Sequence, residues 1–139
     1  MIGIDTNVLI RYFVRDDPKQ THIATELIFS LSVDEPGWIA IPVLVETVWT
    51  LRRTYRLERA AIAAILEQML ASRELFVEQR ELAQQALAVF RSTRADFADC
   101  LIAASARRAG CERLVTFDRV AARDAGMEFL CEAAPVATE

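Results

Sequence analysis

MIGIDTNVLIRYF, residues 1–13, is the stretch on which the reading of this chain turns. Met1 to Ile4 is a short apolar run of the kind that fills a buried strand, and Asp5 ends it. Behind Thr6 and Asn7 the apolar residues take up a helical spacing at once. A carboxylate therefore stands where a strand hands over to a helix. That place suits a helix N-cap, and it equally suits chemistry at the carboxyl end of a sheet.

Working outward, breakers and periodicity divide the chain into alternating strands and helices. MIGID reads as the first strand and TNVLIRYFV as a helix stopped by Asp16-Asp17-Pro18. Pro18 suits the first turn of a second helix running to about Leu31, and Ser32 to Gly37 is a turn-rich loop. WIAI is a second strand. Pro42 opens a third helix, PVLVETVWTLRRTY, and Leu57 to Ser72 forms a fourth. LFVE is a third strand, Arg80 to Arg91 a fifth helix, and a sixth starts at Asp96 and ends where Gly110 acts as a C-cap glycine. LVTF is a fourth strand, Arg119 to Asp124 a short helix, and MEFL a last strand. This alternation predicts an α/β fold, a central and mainly parallel sheet of four to five short strands flanked by about seven helices. The expected organisation is one domain over residues 1–139, with 132–139 as a flexible tail.

Composition narrows the function classes. The hydrophobic share, 53%, is high for a soluble domain, yet no apolar run approaches the roughly 18 residues needed to cross a bilayer. No membrane role is expected, and the opening residues lack the basic and apolar regions of a signal peptide, so the expected location is cytoplasmic. Cys100, Cys111 and Cys131 have no CxxC spacing, which supports neither a disulfide framework nor a zinc site. The single histidine, His22, falls on what reads as a surface helix and removes the usual general base and the Ser/His or Cys/His nucleophile systems. A net charge of −4 lacks the footprint of a general nucleic-acid binder, so any such contact must be local. Lys19 is the one lysine among 16 basic residues; the others are arginine, the better planar partner for phosphate.

Four acids occupy comparable places in this layout. Asp5 ends strand one, Glu46 lies early in the helix after strand two, Asp99 in the first turn of helix six, and Asp118 just past strand four in VTFD. Ligands of open parallel sheets bind beyond the carboxyl ends of the strands, so all four can reach one crevice. Each also has a structural alternative. Asp5 and Asp118 suit N-caps, and Asp96 with Asp99 fits a capping-box-like pair. Glu46 is the hardest to explain as a cap, because Val43, Leu44, Val45, Val48 and Trp49 surround it in sequence with apolar side chains. Carboxylates about 5 Å apart repel by roughly 3 kcal/mol per pair at an effective dielectric near 20, so such a group calls for a bound cation. Oxygen donors without histidine or cysteine point to a hard ion, Mg²⁺ or Mn²⁺, and such ions suit phosphoryl chemistry.

IGIDTNVLI, the helical glutamate in PVLVETVW, DFADCLIAASARRAG and VTFD, in this order and at these spacings, together resemble the PIN-domain ribonucleases found as VapC toxins of bacterial toxin–antitoxin pairs. The resemblance runs from Ile2 to about Phe129. It implies that Asp5, Glu46, Asp99 and Asp118 are the catalytic and metal-binding acids, with Asp96 as a supplementary acid. It further implies that Thr6, Asn7 and Thr116 orient the acids or metal waters. The implied activity is a Mg²⁺- or Mn²⁺-dependent endoribonuclease in which a metal-activated water hydrolyses an RNA phosphodiester, leaving a 5′-phosphate and a 3′-hydroxyl. The implied partners are RNA, a cognate antitoxin protein and a second copy of the chain in a homodimer. Arg11, Arg15, Arg52, Arg53 and Arg94 are candidates for holding the RNA backbone.

The third and fourth helices, with Trp49, Tyr55, Leu57, Ile62, Leu66 and Met69, offer apolar surface for an antitoxin helix or a dimer face, the alternative being that these side chains simply fill the core. A housekeeping RNA-maturation nuclease of the same fold and a non-catalytic partner-binding protein on the same scaffold are the competing functions. A HAD-type phosphatase, which also opens with a strand ending in aspartate, requires a second aspartate two residues on, where Asn7 stands. None of the four glycines builds a GxGxxG or P-loop motif.

Overall fold

Three very short parallel strands carry the frame. The structure is a computed structural model and describes residues 1–131, so the tail expected at 132–139 lies outside the described residues. In chain order the elements are β1 (Ile2–Gly3), α1 (Thr6–Val14), α2 (Pro18–Ser30), β2 (Gly37–Ile39), α3 (Ile41–Arg53) and α4 (Arg59–Ala71). They continue as β3 (Leu75–Val77), α5 (Arg80–Ser92), α6 (Phe97–Arg108), β4 (Val115–Thr116), α7 (Arg119–Asp124) and β5 (Glu128–Phe129).

The expected α/β alternation is present, and every strand pair is parallel. The expected single sheet of four to five strands is corrected: among the described residues β1-β2-β3 form one ladder and β4-β5 a separate one. Two- and three-residue strands supply few ladder bonds, and Ile2 on β1 and Val115 on β4 stay 39% and 45% exposed. The strands MIGID, WIAI, LFVE, LVTF and MEFL are all shorter than their apolar runs, because the ends of those runs hand over to helices or loops.

Local chemistry accounts for the helix boundaries. Asp17 accepts from the Gln20 amide at 3.0 Å and Pro18 supplies the fixed φ of the first turn of α2. Gly110, one residue past the α6 C-cap Ala109, takes φ +83°, the left-handed conformation that glycine adopts without penalty. Gly37 starts β2 because three side chains crowd it. A Cβ there would lie 2.6 Å from Ile4 Cδ1 and 2.9 Å from Leu31 Cδ1.

Leu9, Ile39, Leu44, Leu51, Ile62, Leu66, Met69 and Phe90 fill one buried cluster between the sheet and the helices. Ile62, Leu66 and Met69 are at most 1% exposed, so of the two readings of this face the core reading holds for them and the partner surface does not. They occupy the α4 face turned inward, and α4 packs on α3, α5 and β3. Leu57 is partly buried against the same core and Tyr55 is held by polar contacts, so of that group Trp49 alone presents a large exposed apolar face. Cys100 is buried as expected, and burial pushes its thiol up to about 11, which leaves it inert.

Two arginines act as struts. Arg59 at the start of α4 donates to the carbonyls of Phe90 at 2.6 Å and Ala95 at 2.9 Å, and its guanidinium lies 3.9 Å from the Phe90 ring centre. Arg80 donates to the carbonyls of Leu70 and Leu75. Arg59 thus fixes the turn from α5 into α6, where Phe90 and Phe97 meet edge to face at 6.0 Å. Among the described residues no helix is long and apolar enough to cross a membrane.

Candidate active site

Because β1 and β2 run parallel, the residues that follow them emerge at the same edge of the sheet. Asp5 caps α1 and accepts the Thr6 amide at 2.7 Å, so its structural role as a cap is real. Glu46, one turn into α3, shares a cleft of about 240 Å³ with Asp5, Asn7, Arg11, Thr50 and Tyr55. The apolar surroundings expected for Glu46 are corrected: its side chain is exposed. At about 100° per residue, Leu44, Thr47, Val48 and Leu51 turn into the core and Glu46 falls on the opposite side.

The other acids gather across from α3, at the start of α6 and beyond β4. Asp99 is partly buried; burial, then the charges of Asp96 and Asp118, hold its carboxyl above the usual aspartate range. Asp118 caps α7 and accepts the Ala121 amide at 2.9 Å. Asp96 stands at the N-cap of α6 without capping it, which corrects the expected capping box; it is paired with Arg52 instead. The structure therefore brings the predicted acids together as two sets, Asp5 with Glu46 and Asp96 with Asp99 and Asp118.

Electrostatic coupling reaches further than ligation does. Among the described residues no three His, Cys, Asp or Glu side chains converge tightly enough to hold a metal ion. Asp5, Asp96 and Asp118 each commit an oxygen to a protein donor. In kind the donors fit a hard divalent ion: all are carboxylate oxygens, His22 is exposed on α2 and paired with Glu26, and Cys100 is buried. Next to Asp5 the Thr6 hydroxyl oxygen is buried with no hydrogen-bond partner, an orphaned polar atom at the edge of the acid cleft.

Thr116 Oγ1 accepts the Asp118 amide at 3.0 Å, so it holds the turn that presents that acid. Asn7 is exposed beside Asp5. Of the arginines, Arg11 is already engaged, with Asp16 at 2.9 Å, Gln20 at 2.6 Å and the Tyr55 hydroxyl at 3.0 Å. Arg52 is bound to Asp96, Arg15 is exposed at the end of α1, and Arg94 is exposed with its amide on Asp124. Arg53 is exposed beside α6.

Trp49 was expected only as part of an apolar partner surface, and Arg56 was not singled out at all. With Arg52 and Arg53 they line a second cleft of about 500 Å³ that runs to Asp96 and Phe97. The signal was present in sequence as Trp49, Arg52 and Arg53 at i, i+3 and i+4 on α3, with Arg56 just past the end of that helix.

The sheet edge, the acids after the strands and the helical glutamate define a class, and a family match states which. The PIN domain matches residues 2–126, and the chain belongs to that family. A VapC ribonuclease of Aquifex aeolicus (strain VF5) is 25% identical to it over 116 residues, covering 84% of this chain and 86% of that protein.

Proposed function

We propose that the chain is a Mg²⁺- or Mn²⁺-dependent endoribonuclease and the toxin of a toxin–antitoxin pair. The observation that carries the reading is Asp99, a partly buried carboxylate under the charges of Asp96 and Asp118 that itself forms no ion pair among the described residues, Arg52 being paired with Asp96. A folded chain that keeps like charges together at a strand-end cleft needs a bound positive charge to offset them. Asp5, Glu46, Asp99 and Asp118 would hold the ion, with Asp96 in support. When bound, such an ion lowers the pKa of water and offsets the negative charge that builds on the phosphate.

The chain's own residues do the positioning. Thr116 keeps the Asp118 turn in place, and Thr6 and Asn7 hold polar atoms beside Asp5. Arginines must hold the RNA backbone against the repulsion of the acids, and Arg53 is placed to do so from α3. In this reading no side chain acts as nucleophile. The name of the Aquifex aeolicus relative supports RNA as substrate, and the exposed apolar side chains Ile23, Phe29 and Phe76 support a protein antitoxin and a homodimer as partners.

Purified protein incubated with a structured RNA mixture in Mg²⁺ or Mn²⁺ tests this. Cleavage that stops with EDTA and is absent in Asp99→Asn is the expected result, together with a Mn²⁺-induced rise in melting temperature in the wild type alone. Equal cleavage by the two proteins, or equal Mn²⁺ response, overturns the acid site.

A further inference from the structure

The cleft on the far side of α3 combines features that the acid site does not use. Trp49 is 59% exposed at its lip, an unusual place for a large aromatic side chain. Below it stand Arg52, Arg53 and Arg56, against one acid, Asp96. Asp96 neutralises Arg52, while Arg53 and Arg56 form no ion pair among the described residues. A cationic, aromatic-lined groove thus lies on a molecule whose net charge is −4. It also adjoins the acids directly: Asp96 lines the groove and its charge acts on Asp99.

We propose that this cleft is a subsite for single-stranded RNA beside the scissile phosphate, in which Trp49 stacks on an unpaired base and Arg53 and Arg56 hold the adjoining phosphates. The inference rests on the nuclease reading and deepens it to a substrate class. Indole is an effective platform for a base because its face is apolar and its geometry sequence-tolerant, and guanidinium groups on either side match phosphate oxygens. A base can reach Trp49 only if it is out of a duplex, so the groove selects loops, bulges and open strands over paired RNA. Arg52 is the link between the two sites. A phosphate arriving at Arg52 competes with Asp96 for the guanidinium and frees that carboxylate beside Asp99.

The test uses the full chain in EDTA, so that nothing is cut, and a fluorescein-labelled RNA strand of about 10 nucleotides, single or annealed to its complement. The sequence has two tryptophans, so Trp38→Phe leaves Trp49 as sole reporter. Single-stranded RNA is expected to quench Trp49 emission and to bind more tightly than the duplex. Trp49→Ala should weaken binding about tenfold or more, with Trp49→Phe recovering most of it. Arg53→Gln and Arg56→Gln should each lower the slope of log K against log salt by about 0.7. In Mn²⁺, Trp49→Ala should raise KM more than it lowers kcat.

Unquenched Trp49, or wild-type affinity and KM in a folded Trp49→Ala, removes the subsite while metal-dependent cleavage by the wild type leaves the nuclease reading standing. A wild type that neither binds nor cuts RNA removes both. Trp49→Ala that releases a copurifying protein but keeps its RNA affinity assigns the groove to a protein partner and overturns the proposal.

Discussion

Asp5 and Asp99 are both aspartates at a helix start, and the fold treats them differently. Asp5 is exposed, has an amide to accept from and belongs to α1 as a cap. Asp99 is partly buried, faces Asp96 and Asp118, and is held in its protonated form more readily than a free aspartate. The first arrangement is stable as it stands. The second costs the folded state free energy that no ion pair of Asp99 among the described residues returns, which is the mark of a group kept for a ligand.

The sharpest way to break the comparison is Asp99→Asn. RNA cleavage should fall by at least about 100-fold while thermal stability without added metal is unchanged or higher, because a partly buried like charge has been removed. Loss of several degrees of melting temperature would return Asp99 to a structural role. Next in size is the strut beneath that wall. Arg59→Met should lower urea stability by about 2 kcal/mol, because the Phe90 and Ala95 carbonyls lose their donor. Cleavage should fall with it as the α5–α6 turn loosens.

Asp118 belongs to both sides of the comparison, since it caps α7 and faces Asp99. Asp118→Ala should cost about 1 kcal/mol of stability and the cleavage activity, whereas Asp118→Asn keeps the cap and loses only the activity. Equal melting curves for the two variants would show the cap to be idle.

The smallest effect is expected at Asp16. The Tyr55 hydroxyl, and then Arg11, hold its carboxyl below the usual range. A lowered folded pKa contributes stability that is present above 3.8 and is lost as pH falls through the folded value. Tyr55→Phe should therefore shift acid unfolding slightly to higher pH and leave melting at pH 7 almost unaltered. A wild-type acid midpoint in that variant would remove Asp16 from the account.

Much of this was readable from residue order. Asp5 and Asp118 cap the helices that their positions announced, Pro18 opens α2, Gly110 closes α6, and α7 has its expected bounds. Each of these rests on contacts within a few residues, which local sequence encodes directly. The order of the acids along the chain was legible for the same reason: each follows a strand or opens a helix.

The tertiary structure decided what lies on the other side of each face. Periodicity places Ile62, Leu66 and Met69 on one stripe, but only packing against α3, α5 and β3 makes that stripe core and not a docking surface. Sequence neighbours made Glu46 look buried, yet a helix sends neighbours in different directions, and it is exposed beside Asp5. The split of the strands into two ladders, the pairing of Arg52 with Asp96 across 44 positions and the open face of Trp49 are likewise beyond any local signal. A side chain's direction follows from its own backbone. What it meets there is set by elements far away in the chain, and burial and charge are properties of that meeting.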